Sequence, residues 1–197
     1  MSTLQQQFNV LLKQFNGKEI EQIIERILES DIYITSEFLN YPNVQALGKN
    51  NKYYETLYLF SILTYIDYKN SPSKYLTLDD NLLKKLKCIS ILEIAKDKKH
   101  LDYSYLKKIL DIKSNFEIEE ILFNLISREL IMGKIDGRNE YINIFSVKPR
   151  CNLIDLKKVE ENIDKIIDNI NNANEYLVNE QNQIKKVNEE VNGMLTI

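Results

Sequence analysis

Residues 114–145 read SNFEIEEILFNLISRELIMGKIDGRNEYINIF. Ser114 and Glu117 have the spacing of a capping box, which predicts a helix start. Ile118, Ile121, Leu122, Leu125 and Ile126 then recur as one helical face. At Leu130 the period changes to two. Ile131, Gly133 and Ile135 alternate with Met132 and Lys134. Asp136-Gly137-Arg138-Asn139 is turn chemistry, since Asp and Gly tolerate positive φ. Tyr141 to Phe145 is a β-branched and aromatic run able to pair back. A helix feeding straight into a hairpin, with shorter helices before it, reads as a winged helix.

Outward from that stretch the order fits. Leu82, Leu83, Leu86, Ile89, Leu92 and Ile94 predict a helix that the polar run Asp97-Lys98-Lys99-His100 ends. Leu101 suits a one- or two-residue strand. Asp102 can cap a short helix holding Tyr103, Leu106, Ile109 and Leu110. The expected winged-helix subdomain is 81–150, closed by Pro149. Beyond it, Asn152 and Asp155 open a long last helix. Its apolar positions run Leu156, Val159, Ile163, Ile166, Ile170, Ala173, Leu177, Ile184, Val187, Val191 and Met194. Steps of three and four over that length are a coiled-coil seam that wants a partner helix, and 151–197 is the expected assembly segment.

The stretch Lys69–Asp80, rich in Asn, Ser, Pro and Asp, is the internal boundary that leaves 1–80 as a helical array. Leu4, Phe8, Leu11, Leu12 and Phe15 mark its first helix. Asn16 and Glu19 suggest a second capping box, with Gly17 at the break and Ile20, Ile23, Ile24, Ile27 and Leu28 following. Pro42 stops a short helix at Phe38 and Leu39. From Tyr53 to Tyr68 the chain is apolar on nearly all sides, which predicts one helix buried between others. The fold class is mainly α: a helical-repeat array, a winged-helix subdomain and a long C-terminal coiled-coil-like helix.

Composition agrees. The chain has 197 residues, 44% of them hydrophobic, with only 5 Gly and 3 Pro, which favours long helices over an all-β fold. A formal net charge of -3 gives no global signature for nucleic acid or membrane. Cys88 and Cys151 form no CxxC and read as a core thiol and a loop thiol in a reducing compartment. The N-terminus lacks a signal-peptide pattern, and no apolar run is long enough to span a bilayer, so a soluble intracellular protein is expected.

Little here carries chemistry. His100 is the one histidine and lacks companions at catalytic or metal-binding spacing. Gly-rich phosphate loops and hydrolase or zinc-protease motifs are missing. Glu117, Glu119, Glu120 and Glu129 read as a solvated helix face. No enzyme activity, cofactor or metal is expected. The serious competitor is nucleic acid, because the helix before a wing commonly reads DNA. Here that helix carries four carboxylates against Arg128, a poor match to phosphate. Lys84, Lys85, Lys87, Lys96, Lys98, Lys99, Lys107 and Lys108 lie mostly on other helices and leave open a weak, sequence-independent patch. The remaining reading is an interaction module. Ile135, Tyr141, Ile142, Ile144 and Phe145 put apolar residues on both alternations of the hairpin, and an open sheet edge can accept a partner strand.

A helical array, a winged helix and a long terminal helix resemble the layout of PCI-domain proteins. These are scaffold subunits of the proteasome lid, the COP9 signalosome and a translation-initiation complex. The resemblance rests on Asp31–Val44 (DIYITSEFLNYPNV), Leu63–Tyr68 (LTYIDY), Leu83–Leu92 (LKKLKCISIL) and Ile135–Asn139 (IDGRN), and within the group it is to the signalosome's PCI subunits. It implies a non-catalytic scaffold of the complex that deneddylates cullins, in cytoplasm and nucleus. The implied partners are other PCI subunits and the MPN metalloprotease-type subunits, with no membrane; nucleic acid is the alternative that the charge of the helix before the wing disfavours. Carried onto this sequence, the docking edge is the wing, with Ile131, Ile135, Tyr141, Ile142 and Ile144. The bundle helix is the seam through Leu156, Val159, Ile163, Ile166, Ile170, Leu177, Ile184, Val187 and Val191.

Overall fold

The computed structural model describes residues 3–150 and, beyond them, 166, 167, 169–171, 173 and 174. The chain divides into two compact units, Met1–Asn152 and Leu153–Ile197. In the second unit the described residues are helical and exposed.

The first unit opens with α1 (Thr3–Gln14) and α2 (Lys18–Glu29). The predicted α2 face, Ile20, Ile23, Ile24, Ile27 and Leu28, is buried; of the predicted α1 face Phe8 and Leu12 are buried, Leu11 and Phe15 half-buried and Leu4 exposed. The Asn16–Glu19 capping box does not form. Gly17 takes the N-cap position at φ 60, with no side-chain cap, a conformation that suits a residue lacking Cβ. A 3-10 turn over Ser36–Asn40 buries Phe38 and Leu39. Pro42 then starts α3 (Pro42–Gln45), where its missing N–H costs nothing.

The predicted single helix over 53–68 is two. α4 (Lys52–Ser61) begins where the Asn51 side chain accepts from the Tyr53 and Tyr54 amides at 2.9 and 3.3 Å. α5 (Tyr65–Asn70) is a separate turn-and-a-half. The break comes from a capping box that the aromatic pattern hides. The amide and hydroxyl of Thr64 both donate to Asp67 Oδ2 at 2.8 Å, and the Tyr65 amide donates to Ser90 Oγ at 2.7 Å. Burial also divides there: α4 buries Leu57, Leu59 and Phe60, whereas no residue of α5 is buried.

α6 (Asp80–Asp97) follows, capped by Asp79 accepting from the Leu82 amide at 2.8 Å. Then come β1 (His100–Asp102), α7 (Tyr103–Leu110), α8 (Asn115–Ser127), β2 (Ile131–Asp136) and β3 (Tyr141–Val147). The three strands form one antiparallel sheet in the order β1-β3-β2. Two apolar clusters fill the unit. One is built from α1, α2 and α4 with Leu86 and Ile89 of α6. The other is built from α7, α8 and the sheet with Cys88, Ile91, Leu92 and Ala95 of α6. α6 therefore serves both. Two buried cations add to the connection. Lys85 of α6 donates to the Leu28 and Ser30 carbonyls at the end of α2, at 2.6 and 2.7 Å. Arg150, 2% exposed, reaches the Phe60 carbonyl at 3.0 Å and Glu93 at 3.3 Å.

Candidate interaction surfaces

The sheet decides what the hairpin can offer. β3 is its central strand, flanked by β1 and β2. The Ile144 amide donates to the Lys99 carbonyl at 2.7 Å, and the Glu140 carbonyl accepts from Tyr103. Since antiparallel residues alternate the side on which they bond, Tyr141 and Asn143 turn their peptide groups to β2. Their partners there are Asp136 and Lys134. The N–H and C=O of Ile135 then point to the outer side of β2, where no strand lies among the described residues. β2 therefore presents an unpaired sheet edge.

Register sorts the side chains into two faces. Leu101, Ile142 and Ile135 share one cross-strand row on the inner face. Ile131, Ile142 and Ile144 are 1%, 0% and 4% exposed, Ile135 is half-buried, and Tyr141 is half-buried on the other face. Three of the five wing residues singled out from sequence therefore point into the core and build the edge without lining it. The outward apolar groups are Met132 and Phe145, 64% and 65% exposed. Phe145 lies where the β2–β3 register slips, opposite the step from Met132 to Gly133, and a bulge residue has no partner to turn it inward. Gly133 is required there for space. A Cβ on it would lie 2.6 Å from the Asn143 carbonyl oxygen.

The hairpin turn differs from its sequence reading. The positive φ falls on Glu140, at 57°. Asp136 makes the reversal by accepting from the Asn139 amide at 3.0 Å and its side chain at 2.9 Å. Gly137 instead lies against Glu119, whose Oε1 would be 2.9 Å from an added Cβ.

The outer face carries two polar rows, His100–Asn143–Lys134 and Asp102–Tyr141–Asp136. His100 Nδ1 is 2.9 Å from Asn143 Oδ1 and Nε2 is 3.2 Å from Asp102 Oδ1, with the Tyr141 ring 4.6 Å away. The bond to Asn143, then that to Asp102, hold His100 above its ordinary pKa. The residue is exposed and has three neighbours that the sequence does not reveal.

α8 starts at Ser114, whose hydroxyl accepts from the Phe116 amide at 3.1 Å. The reciprocal half of the expected capping box is replaced by an ion pair, Glu117 to Lys87 at 3.2 Å. The helix ends in a left-handed Glu129 at φ 57, with Leu130 N–H donating to the Leu125 carbonyl and Glu129 N–H to Ile126, a Schellman closure on a non-glycine residue. Glu120 pairs with Lys84, and Glu119 accepts from the Tyr103 hydroxyl at 3.3 Å. The lysines considered for nucleic acid are largely engaged. Lys84 and Lys87 hold α8 carboxylates, Lys96 pairs with Glu93, Lys85 is buried, and Lys98 lies 3.8 Å over the Tyr105 ring. Cys88 is buried, and burial pushes its thiol up to about 12. Among the described residues no cluster could hold a metal ion, and no helix is long and apolar enough to cross a membrane.

Of the C-terminal seam, Ile166, Ile170 and Ala173 are described, all exposed. Ile166 and Ile170 are 57% and 54% exposed, and Ile167 beside them is 49% exposed. Leu156, Val159, Ile163, Leu177, Ile184, Val187 and Val191 lie outside the described residues.

Comparison with known proteins bears on these surfaces. Residues 51–146, from just before α4 to near the end of β3, match the PCI domain family. The chain is similar to COP9 signalosome complex subunit 7 of Dictyostelium discoideum, 32% identical over 145 residues, which is 72% of this chain and 56% of that protein. It is also similar to subunit 7 of Drosophila melanogaster, 32% identical over 136 residues, 68% of this chain and 49% of that one. Eukaryotic translation initiation factor 3 subunit M of Dictyostelium discoideum is 24% identical over 139 residues, 64% of this chain and 34% of its own. The chain spans about half the length of the curated subunit 7 relatives it matches.

Proposed function

We propose, from the match of residues 51–146 to the PCI domain family, that the chain is a non-catalytic scaffold subunit of a COP9 signalosome. The observation that carries the reading is the 32% identity to signalosome subunit 7 in two organisms over about 70% of the chain. We read residues 1–80 as the helical array, 81–150 as a winged helix and 151–197 as a helix for a shared bundle. The assembly docks through the outer edge of β2, where a neighbouring PCI subunit adds a strand or abuts its own sheet. Exposed Met132 and Phe145 flank that edge with apolar surface. Exposed Ile166 and Ile170 belong to the bundle seam, which other PCI and MPN-type subunits cover. Cullin deneddylation is the activity of the whole assembly, in cytoplasm and nucleus, and this chain positions subunits for it.

The test is copurification. A tagged chain should bring down PCI and MPN-type subunits of a signalosome. Recovery of proteasome-lid subunits or initiation factors in their place would sink the assignment. The edge is tested by Ile135→Pro, which removes an outward-facing N–H from an edge strand and leaves the β2–β3 ladder bonds in place. Assembly should fall while the far-UV circular dichroism of the isolated chain stays helical. Full assembly with this variant would show that docking uses another surface. Ile142→Pro is a poor probe, because Ile142 lies on the central strand at 0% exposure and its loss disrupts the sheet itself.

A further inference from the structure

α8 is amphipathic twice over. Its inner face, Ile118, Ile121, Leu122 and Leu125, fills the core. Its outer face presents Phe116, Glu120, Phe123 and Ser127 in one exposed stripe at steps of four, three and four. Phe116 is 74% exposed and Phe123 is 60% exposed. Two phenylalanines this open on an otherwise well-buried helix are a marked departure, because such rings normally sit inside. Seven residues apart, they lie about 10 Å from each other along the helix axis. That separation matches two anchors on another helix packed alongside.

Charge selects among the occupants. Glu117, Glu119 and Glu120 lie on α8, which has no Lys or Arg. Glu140 joins them through its 2.7 Å bond from Asn115. Lys84 and Lys87, paired to Glu120 and Glu117, are the cations alongside. Arg128 past the helix end is held by Asp31, so four carboxylates against Lys84, Lys87 and, before the N-cap, Lys113 leave the border acidic. Phosphate backbones are repelled by it. A second copy stacked face to face would bring Glu120 against Glu120. A helix with apolar anchors flanked by Lys or Arg meets it favourably.

We propose that the outer face of α8 docks a basic amphipathic helix of a partner protein, with Phe116 and Phe123 as anchors and Glu120 facing its cations. This surface is separate from the β2 edge and does not depend on the signalosome reading. Copurification can fail while the helix docks, and the reverse.

The experiment places the photo-cross-linker p-benzoylphenylalanine at position 123 of the full chain, expressed in its own cells and irradiated. Position 10, on α1 and 52% exposed, serves as the control. Products specific to position 123 should map by mass spectrometry to a helix of another protein with Lys or Arg beside its apolar face. Adding Phe116→Ala or Glu120→Lys should lower their yield at least fivefold. Both changes are at exposed positions, so an unaltered melting temperature of the chain verifies folding. Products on nucleic acid, on a second copy, on residues 153–197 of the same chain or on an acidic segment would overturn the proposal. So would the lack of any product at 123 beyond the control, or a yield indifferent to Glu120→Lys.

Discussion

Replacing Lys85 by Met asks what a buried ammonium contributes to this fold. Lys85 is 7% exposed, and its Nζ donates to the Leu28 carbonyl at 2.6 Å and the Ser30 carbonyl at 2.7 Å. It closes the end of α2, where helix carbonyls lack partners and the dipole favours a cation. The Ile27 carbonyl keeps a second donor, Ser30 Oγ at 2.6 Å. Met fills similar volume but donates nothing, so two buried carbonyls each lose a bond, at about 1–3 kcal/mol apiece. The opposing term is desolvation. Burial draws Lys85 down to about 8 from its ordinary 10.5, so keeping it charged at pH 7 costs about 3 kcal/mol. The two terms largely offset, so at pH 7 the stability of Lys85→Met should lie within about 3 kcal/mol of wild type. The pH dependence is the sharper expectation. The folded-state pKa lies below the unfolded one, so between about pH 8 and 10.5 the unfolded chain binds more protons, and wild-type stability gains with pH from this group. The gap between wild type and variant should therefore widen by about 2 kcal/mol from pH 7 to 9.5. Urea denaturation of both proteins across that range, followed by far-UV circular dichroism, measures it, and the difference removes titrations common to the two. A gap constant to within about 0.5 kcal/mol across that range would refute the reasoning.

Gly133→Ala places a methyl 2.6 Å from the Asn143 carbonyl oxygen. Backbone has to shift, and a loss of about 1–3 kcal/mol in the same denaturation assay is expected; an unchanged midpoint would show that the bulge gives freely. His100, the chain's one histidine, yields a single set of imidazole resonances. Its titration midpoint should lie above 6.5 and fall in Asn143→Ala. Its contribution to stability is full below the unfolded pKa and is lost as pH rises through the folded one. A midpoint at or below 6.5 would mean that the bonds to Asn143 and Asp102 do not form in solution.

Periodicity located α2, α8 and both hairpin strands because each buries one face, and a half-buried element writes its geometry into spacing. It failed where the deciding contact is distant or where apolar residues are continuous. The run from Tyr53 to Tyr68 hid its break, since Thr64 and Asp67 are two polar residues among many aromatics. Glu117 was available for a capping box, but Lys87 on α6 holds it instead. The hairpin was legible as a hairpin. Which of its faces is outward was not, because Ile131, Ile142 and Ile144 alternate through a bulge that only pairing reveals. Phe116 and Phe123 were visible in the sequence as phenylalanines on a helix, and only their exposure marks them as surface. Lys85 and Arg150 look like surface cations, and no local signal foretells that their partners are carbonyls of other helices.

Because α6 supplies Leu86 and Ile89 to one interior and Cys88, Ile91, Leu92 and Ala95 to the other, the two halves have no joint at which to flex. An 18-residue helix is a strut about 27 Å long. A load applied at the β2 edge reaches the helical array through α6, on which both interiors pack. The unit should then melt in one step, with the slowest-exchanging amides in the middle turns of that strut.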